Sequence, residues 1–235
     1  MDNKKTTRII KENNIKKTYY ELNTEFVEIG IDEVGRGPLF GRVYASAVVL
    51  PKYDSFDHFK MKDSKKFTSK KKIIEVSEYI KKNALYWTTQ YEDEKTIDEI
   101  NILQASQNAM HKCIKEIIKQ INNDICLTKI KIIVDGNYFK PYTTYNPEKK
   151  RIEELDFVCI EGGDNKYSSI AAASILAKVE RDQYIDDLCN EHPDLIEKYS
   201  LNTNKGYGSK KHIEGIKTFG ITEWHRKSFG ICKNY

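Results

Sequence analysis

Four acidic residues carry the chemistry this sequence can perform. Asp32 and Glu33 stand side by side at the end of one apolar stretch, Asp135 ends a second, and Asp164 follows a third. Carboxylates gathered where strands end can hold divalent cations, and two such ions can break a phosphodiester bond. The first pair opens the run Asp32-Glu33-Val34-Gly35-Arg36-Gly37. Glycines there let backbone groups come close to a phosphate or a sugar. Metal-assisted hydrolysis of a nucleic acid is the reaction class to which this combination points.

Taken singly, each signal has a plainer reading. Asp32-Glu33 serves equally as a turn or helix-capping pair, and Asp135-Gly136-Asn137 as an ordinary turn. Asp98 and Glu99 read as first-turn helix acids, and Asp182 as half of a structural ion pair. Ser64 and Lys65 are candidate phosphate contacts, with a solvated loop as the alternative. His192 and His225 read as surface residues. No nucleophile elbow is present, which disfavours a serine hydrolase. The five cysteines include no C-x-x-C pair, which disfavours zinc.

The elements that must position these residues follow from hydrophobic period. Phe26 to Asp32 and Val43 to Leu50 read as strands joined by the glycine-rich turn, and Pro51 ends the second. Thr68 or Ser69 is expected to cap a helix running to Lys82. Leu85 to Tyr91 reads as a third strand. Apolar residues from Ile97 to Ile121 recur at helical spacing and predict one long helix from Thr96. Ile130 to Val134 reads as a buried strand that delivers Asp135. Residues 138–155 carry Pro141, Pro147 and many charges, and are expected to be an irregular surface insertion that borders the site because it joins two of the acids. Asp156 to Ile160 is a fifth strand. A helix from Tyr167 through Leu188 has a small, apolar first half suited to close packing on a sheet. A last helix is expected over Lys210 to Phe219. The fold class is α/β, with a mixed sheet and a helical C-terminal piece.

Six segments, in order, resemble ribonuclease HII, the type 2 ribonuclease H family. They are Ile31-Asp32-Glu33-Val34-Gly35-Arg36-Gly37-Pro38, Asp63-Ser64-Lys65-Lys66, Ile97 to Leu103, Val134-Asp135-Gly136-Asn137, Gly163-Asp164 with Ser169 to Val179, and Lys205-Gly206-Tyr207-Gly208-Ser209-Lys210-Lys211-His212. The resemblance spans roughly residues 26–229. It implies a ribonuclease H-like five-stranded mixed sheet flanked by helices. It implies that Asp32, Glu33, Asp135 and Asp164 bind two Mg²⁺ or Mn²⁺ ions. It also implies cleavage of RNA in RNA–DNA hybrids and at ribonucleotides embedded in duplex DNA, with Gly35, Arg36, Gly37 and Tyr207 reading the RNA–DNA junction. Two departures stand out: the stretch between Asp135 and Asp164 is longer than in typical bacterial members, and Glu161-Gly162-Gly163-Asp164 lacks the lysine that often stands two places before the aspartate.

Bulk properties agree with this. A chain of 235 residues suits one ample domain plus an appendage, here divided as a polar mobile arm over 1–24, a catalytic domain over 25–200 and a substrate-contacting helical segment over 201–235. The net charge of +4 is too mild to identify a nucleic-acid partner by itself. Scattered cysteines without a signal-peptide pattern indicate reduced thiols in an intracellular, cytoplasmic protein. The expected state is a monomer.

Overall fold

The computed structural model describes residues 17–52, 56–61, 64, 67, 69–121, 126–146 and 149–235. Strand β1 (Val27–Val34) is buried along most of its length and lies in the middle of the sheet. It pairs antiparallel with β2 (Val43–Val49), as a short connecting loop permits, and β2 pairs antiparallel with β3 (Tyr86–Glu92). On its other side β1 pairs parallel with β4 (Ile130–Asp135), which pairs parallel with β7 (Asp156–Ile160). The order β3-β2-β1-β4-β7 is the five-stranded mixed sheet expected from the sequence.

Helices cover both faces, because alternate residues of each strand need burial on opposite sides. On one face Ile29, Ile31, Ala45, Ala47, Ile132 and Val134 pack against Ala109, Cys113, Ile114 and Ile117 of α2 (Glu94–Ile121). On the other, Val48 and Leu50 pack against α1 (Lys70–Asn83) and the apolar first half of α3 (Ser168–Glu191). That half of α3 is buried on every side from Ser168 to Ala177. It fits because Gly30 has no side chain: a Cβ there would lie 2.3 Å from the Ser169 carbonyl carbon. The second half of α3 turns toward a separate cluster made with Phe40, α4 (Asp194–Tyr199), α5 (Leu201–Asn204) and α6 (Lys210–Phe219). The small C-terminal helices thus begin at Asp194. Among the described residues no helix is long and apolar enough to cross a membrane.

Several expectations are corrected. The long helix is broken at Asn101, whose backbone is non-helical (φ 68°, ψ 162°). The Asn101 side-chain oxygen accepts from the N–H groups of Leu103 and Gln104, so it restarts the helix in the manner of an N-cap. Ser69 stands at the N-cap of α1 but makes no side-chain capping bond, and Thr68 lies outside the described residues. Residues 1–16 also lie outside them. Residues 17–24, expected to be mobile, are pinned instead. The buried Glu28 carboxylate needs donors, and it takes the N–H groups of Tyr20 and Glu21 and the Ser169 hydroxyl. Lys17 also bridges to the strand-like backbone at Tyr167.

The stretch 138–155 is not irregular. It contains a hairpin, β5 (Thr143–Asn146) and β6 (Arg151–Glu154), and it roots itself in the core through Phe139 and Leu155. Nor does the hairpin itself border the carboxylates. Leu155 donates to the Tyr142 carbonyl (3.0 Å), and the next residue, Asp156, pairs with Lys131 at the start of β4. The hairpin therefore leaves the sheet at the end opposite Asp135. Its internal pairs, Lys149 and Arg151 with Glu153, are on the surface and stabilise it only slightly.

Replacing 143–154 by a short glycine-containing turn is expected to leave cooperative unfolding intact, since the roots Phe139, Tyr142 and Leu155 are kept. Denaturant melts check this; loss of cooperative unfolding would show that the hairpin is structural. Gly30→Ala is expected to destabilise the protein by about 1–3 kcal/mol or more, because the clash is with backbone that cannot rotate away.

Candidate active site

Strand register brings the acids together. Ile31 pairs with Val134 in parallel strands, so the next residues, Asp32 and Asp135, emerge side by side from the same end of the sheet. Period two then places both on the α3 face, with Glu28 and Gly30. Asp164 reaches the same place from β7, through a single turn of 3₁₀ helix over Gly163–Asn165 that leads into α3. The Gly163 N–H donates to the Asp135 carboxylate (2.6 Å), which ties the third and fourth acids together.

Asp32 is the most enclosed of the four, at 5 % exposure. Its carboxylate accepts from the Glu33 N–H (2.7 Å) and from the Ser174 hydroxyl. An ionised carboxylate only accepts, so Ser174 donates to it and in turn accepts from the Ser64 hydroxyl 3.0 Å away. Ser64 is thus buried beneath Asp32 rather than lying open on a loop. Lys65, with Lys62, Asp63 and Lys66, lies outside the described residues.

Burial, followed by the neighbouring charges of Glu33 and Asp135, raises Asp32 well above the ordinary aspartate range. Burial also raises Glu33, and the Arg36 guanidinium 3.2 Å away opposes that rise. No lysine or arginine among the described residues pairs with Asp32. Each of the other acids leans on its own neighbour: Glu33 on Arg36, Asp135 on the Gly163 N–H, and Asp164 on the Asn165 amide (2.9 Å). Among the described residues no three ligand-type side chains are drawn together into a ready cage for a metal.

The glycine-rich loop sits beside this cluster. Gly35 is buried with φ +97°, and a Cβ on it would meet the Arg181 side chain at 2.4 Å. Arg36 and Gly37 are exposed. A Cβ on Gly37 would lie 3.6 Å from the Tyr207 ring, so loop and tyrosine form one surface. Tyr207 is 46 % exposed, which removes it from the core.

Sequence reading missed the supports. Ser174 looked like one small residue among alanines. Arg181 and Arg226 are fully buried, but a buried arginine has no signature in sequence. His225, expected on the surface, is buried against His212, because its ring fills the gap between Phe40 and Tyr199. Asp98 does not serve only its own helix: its carboxylate accepts from the N–H groups of Lys227 and Ser228 and fastens the C-terminal segment. Asp182 pairs with Lys178, as expected.

Known proteins resemble this chain. The family model described as Ribonuclease HII matches residues 29–232. The chain belongs to the ribonuclease HII family. It is a ribonuclease H, a nuclease of the hydrolase class. The ribonuclease HII of Bacteroides thetaiotaomicron is 40 % identical over 210 residues, covering 89 % of this chain and 92 % of the relative. That of Pelagibacter ubique is 42 % identical over 203 residues, covering 85 % and 94 %. Among solved structures, ribonuclease HII from the PCNA complex of Archaeoglobus fulgidus superposes with a TM-score of 0.64 at 24 % identity, over 88 % of this chain and 96 % of that one. Bst ribonuclease HIII, solved with Mn²⁺, gives 0.61 at 15 % identity, over 83 % and 70 %. These structures establish the ribonuclease H fold.

The raised Asp32 carries a signed pH prediction. A carboxyl whose folded pKa lies above its ordinary value of 3.8 favours the fold fully below that value, and that contribution is lost as pH rises through the folded pKa. Without divalent cations, the stability of the wild type relative to Asp32→Asn is expected to fall as pH climbs from the acid side toward neutrality. Denaturant melts in chelator across that window read the difference. A flat difference would mean that Asp32 is not held against its neighbours' charge.

Proposed function

We propose that this ribonuclease H is a divalent-metal-dependent endonuclease that uses Asp32, Glu33, Asp135 and Asp164 to hold two Mg²⁺ or Mn²⁺ ions. We propose further that it cuts the RNA strand of RNA–DNA hybrids and the 5′ side of ribonucleotides embedded in duplex DNA. The observation that carries this reading is the convergence of Asp32, Glu33 and Asp135 at one sheet end, with Asp32 buried and no cationic side chain among the described residues paired to it. The donor set consists of oxygens alone, which suits hard cations such as Mg²⁺ and Mn²⁺. Bound cations would offset the mutual repulsion of Asp32, Glu33 and Asp135.

When bound, such ions supply Lewis acidity that makes water a better nucleophile and offsets the negative charge building on the phosphate. The chain's residues do the rest. Asp32 is fixed by Ser174 and the Glu33 N–H, so its orientation is set before substrate arrives. Asp135 is tied to the Asp164 turn through the Gly163 N–H, which fixes the two acids relative to one another. Water attacks phosphorus, the bond to the 3′-oxygen breaks, and the products carry a 3′-hydroxyl and a 5′-phosphate.

Selectivity depends on detecting the 2′-hydroxyl, the group that separates RNA from DNA at a given position. The exposed loop Gly35-Arg36-Gly37 can bring backbone groups to that hydroxyl without a Cβ in the way. The exposed Tyr207 ring beside it can stack on the deoxyribose beyond the cut.

Asp135→Asn keeps the shape of the side chain and removes its charge. Cleavage of both substrates is expected to fall by orders of magnitude, since metal activation contributes several kcal/mol. Chelator should abolish wild-type cutting, and Mg²⁺ or Mn²⁺ should restore it. Near-normal cutting by Asp135→Asn would remove that residue from the ligand set. Tyr207→Ala is expected to leave the thermal transition nearly unchanged, because the ring is half exposed. It should impair cutting at a single embedded ribonucleotide more than cutting of a continuous hybrid. Equal losses on both substrates would argue against junction reading.

A further inference from the structure

Arg226 is fully buried, and its guanidinium donates only to backbone carbonyls. Nη2 reaches the Gly35 carbonyl (2.6 Å), Nη1 those of Arg36 (3.1 Å) and Pro38 (3.0 Å), and Nε that of Gly41 (2.8 Å). Burial pushes it down to about 9, which leaves it charged near neutral pH. The cation therefore gathers the carbonyls of the whole loop to one side. In a trans peptide the C=O of one residue and the N–H of the next point in opposite directions, and the described residues contain no cis bond. The Gly35 and Arg36 carbonyls face Arg226, so the N–H groups of Arg36 and Gly37 face away from it. Neither N–H has a backbone partner among the described residues. The loop thus turns two N–H donors, without a backbone partner among the described residues, to the side away from Arg226.

The residue before Arg226 is tied to the other half of this surface. The Thr222 N–H can only donate, so His225 Nδ1, 2.9 Å away, accepts. Neutral His225 then carries its proton on Nε2 and donates it to His212 Nε2 at 3.1 Å. His212 must therefore be protonated on Nδ1, which donates to the Tyr207 carbonyl at 2.9 Å. Each assignment follows from the one before it, and the chain ends on an atom that can only accept. Burial lowers both rings, His225 to about 3, so both are neutral near neutral pH. A proton added to the pair would set two N–H donors face to face.

We propose that the His225–Arg226 dipeptide is the positioning element for substrate reading: Arg226 turns the glycine loop so that its donors face the sugar, and His225, acting through His212, holds Tyr207 at a fixed distance from that loop. This rests on the junction-reading role proposed above. Arg181 reinforces the same joint, since its guanidinium donates to the Phe40 carbonyl (3.3 Å) and to the Lys205 carbonyl (3.0 Å) two residues before Tyr207. One buried segment thus couples two readers that lie about 170 residues apart in sequence, a separation that grants them no rigidity of its own.

The test compares Tyr207→Ala, His212→Phe, His212→Asn and Arg226→Lys on two substrates, a duplex with one ribonucleotide and a continuous hybrid. His212→Phe fills the space without a donor. It is expected to lower kcat on the single-ribonucleotide duplex by about 10- to 100-fold, the scale of an ångström-sized misplacement, and to lower it less on the hybrid. His212→Asn offers a donor to the Tyr207 carbonyl and is expected to recover most of that ratio. Arg226→Lys cannot span four carbonyls and is expected to lower kcat on both substrates, with Mn²⁺ affinity by calorimetry unchanged. If Tyr207→Ala loses the single-ribonucleotide activity while His212→Phe keeps the wild-type ratio, the positioning role is wrong and junction reading stands. If Tyr207→Ala itself keeps the ratio, junction reading fails. Should His212→Phe not fold, ring-nitrogen NMR of the wild type decides: opposite tautomers, Nδ1–H on His212 and Nε2–H on His225, support the inference. Matching tautomers, or a charged ring near neutral pH, overturn it.

Discussion

The direct contact of α3 on Gly30 is the constraint on which the rest of the site depends. A helix can lie this close to a strand only if both surfaces are nearly bare, and the run Ser169 to Ala177 meets that condition. The contact fixes the height of α3 over β1. That height determines whether Ser174 reaches Asp32 and whether Ser169 reaches Glu28. It also holds the turn that carries Asp164, because that turn leads straight into α3. The placement of the four acids is therefore a result of helix–sheet packing as much as of strand register.

Charge is handled in two contrasting ways within this small region. Burial penalises the charge on Asp32 and Glu33, and the Arg36 side chain offsets part of that cost at Glu33. Among the described residues the two buried arginines form no salt bridge, and their donors are largely met by carbonyl oxygens, the Arg181 Nη1 excepted. The first arrangement leaves a need that a ligand can meet. The second meets most of its need internally and makes the loop stiff. Clustered negative charge and loop stiffness thus come from separate groups of residues.

Much of the fold was legible in the sequence, because its elements announce themselves by period. The strands β1, β2, β4 and β7 and the helices α3 and α6 lie within a few residues of where apolar spacing put them. The break in α2 was not legible, since apolar spacing continues across Asn101 and no proline or glycine marks the place. The hairpin was hidden because charged alternation on a surface ribbon resembles a solvated loop. At the site, the four acids and the glycine loop stood out by residue type. Their supports did not: Arg181, Arg226 and His225 are polar residues whose burial comes from contacts far away in the chain. Pairing of distant segments decides such positions, and no local pattern records it.

The hairpin between Asp135 and Asp164 leaves the sheet at the end away from both. Length can be gained or lost there without shifting the pairing of Ile31 with Val134. The two ends of this sheet thus carry different geometric demands. One end must keep its register to hold the acids together, while the other can change length without cost to that register. For the experimenter, the same separation makes the hairpin a natural place for a dye, a tag or a surface tether, remote from the four acids.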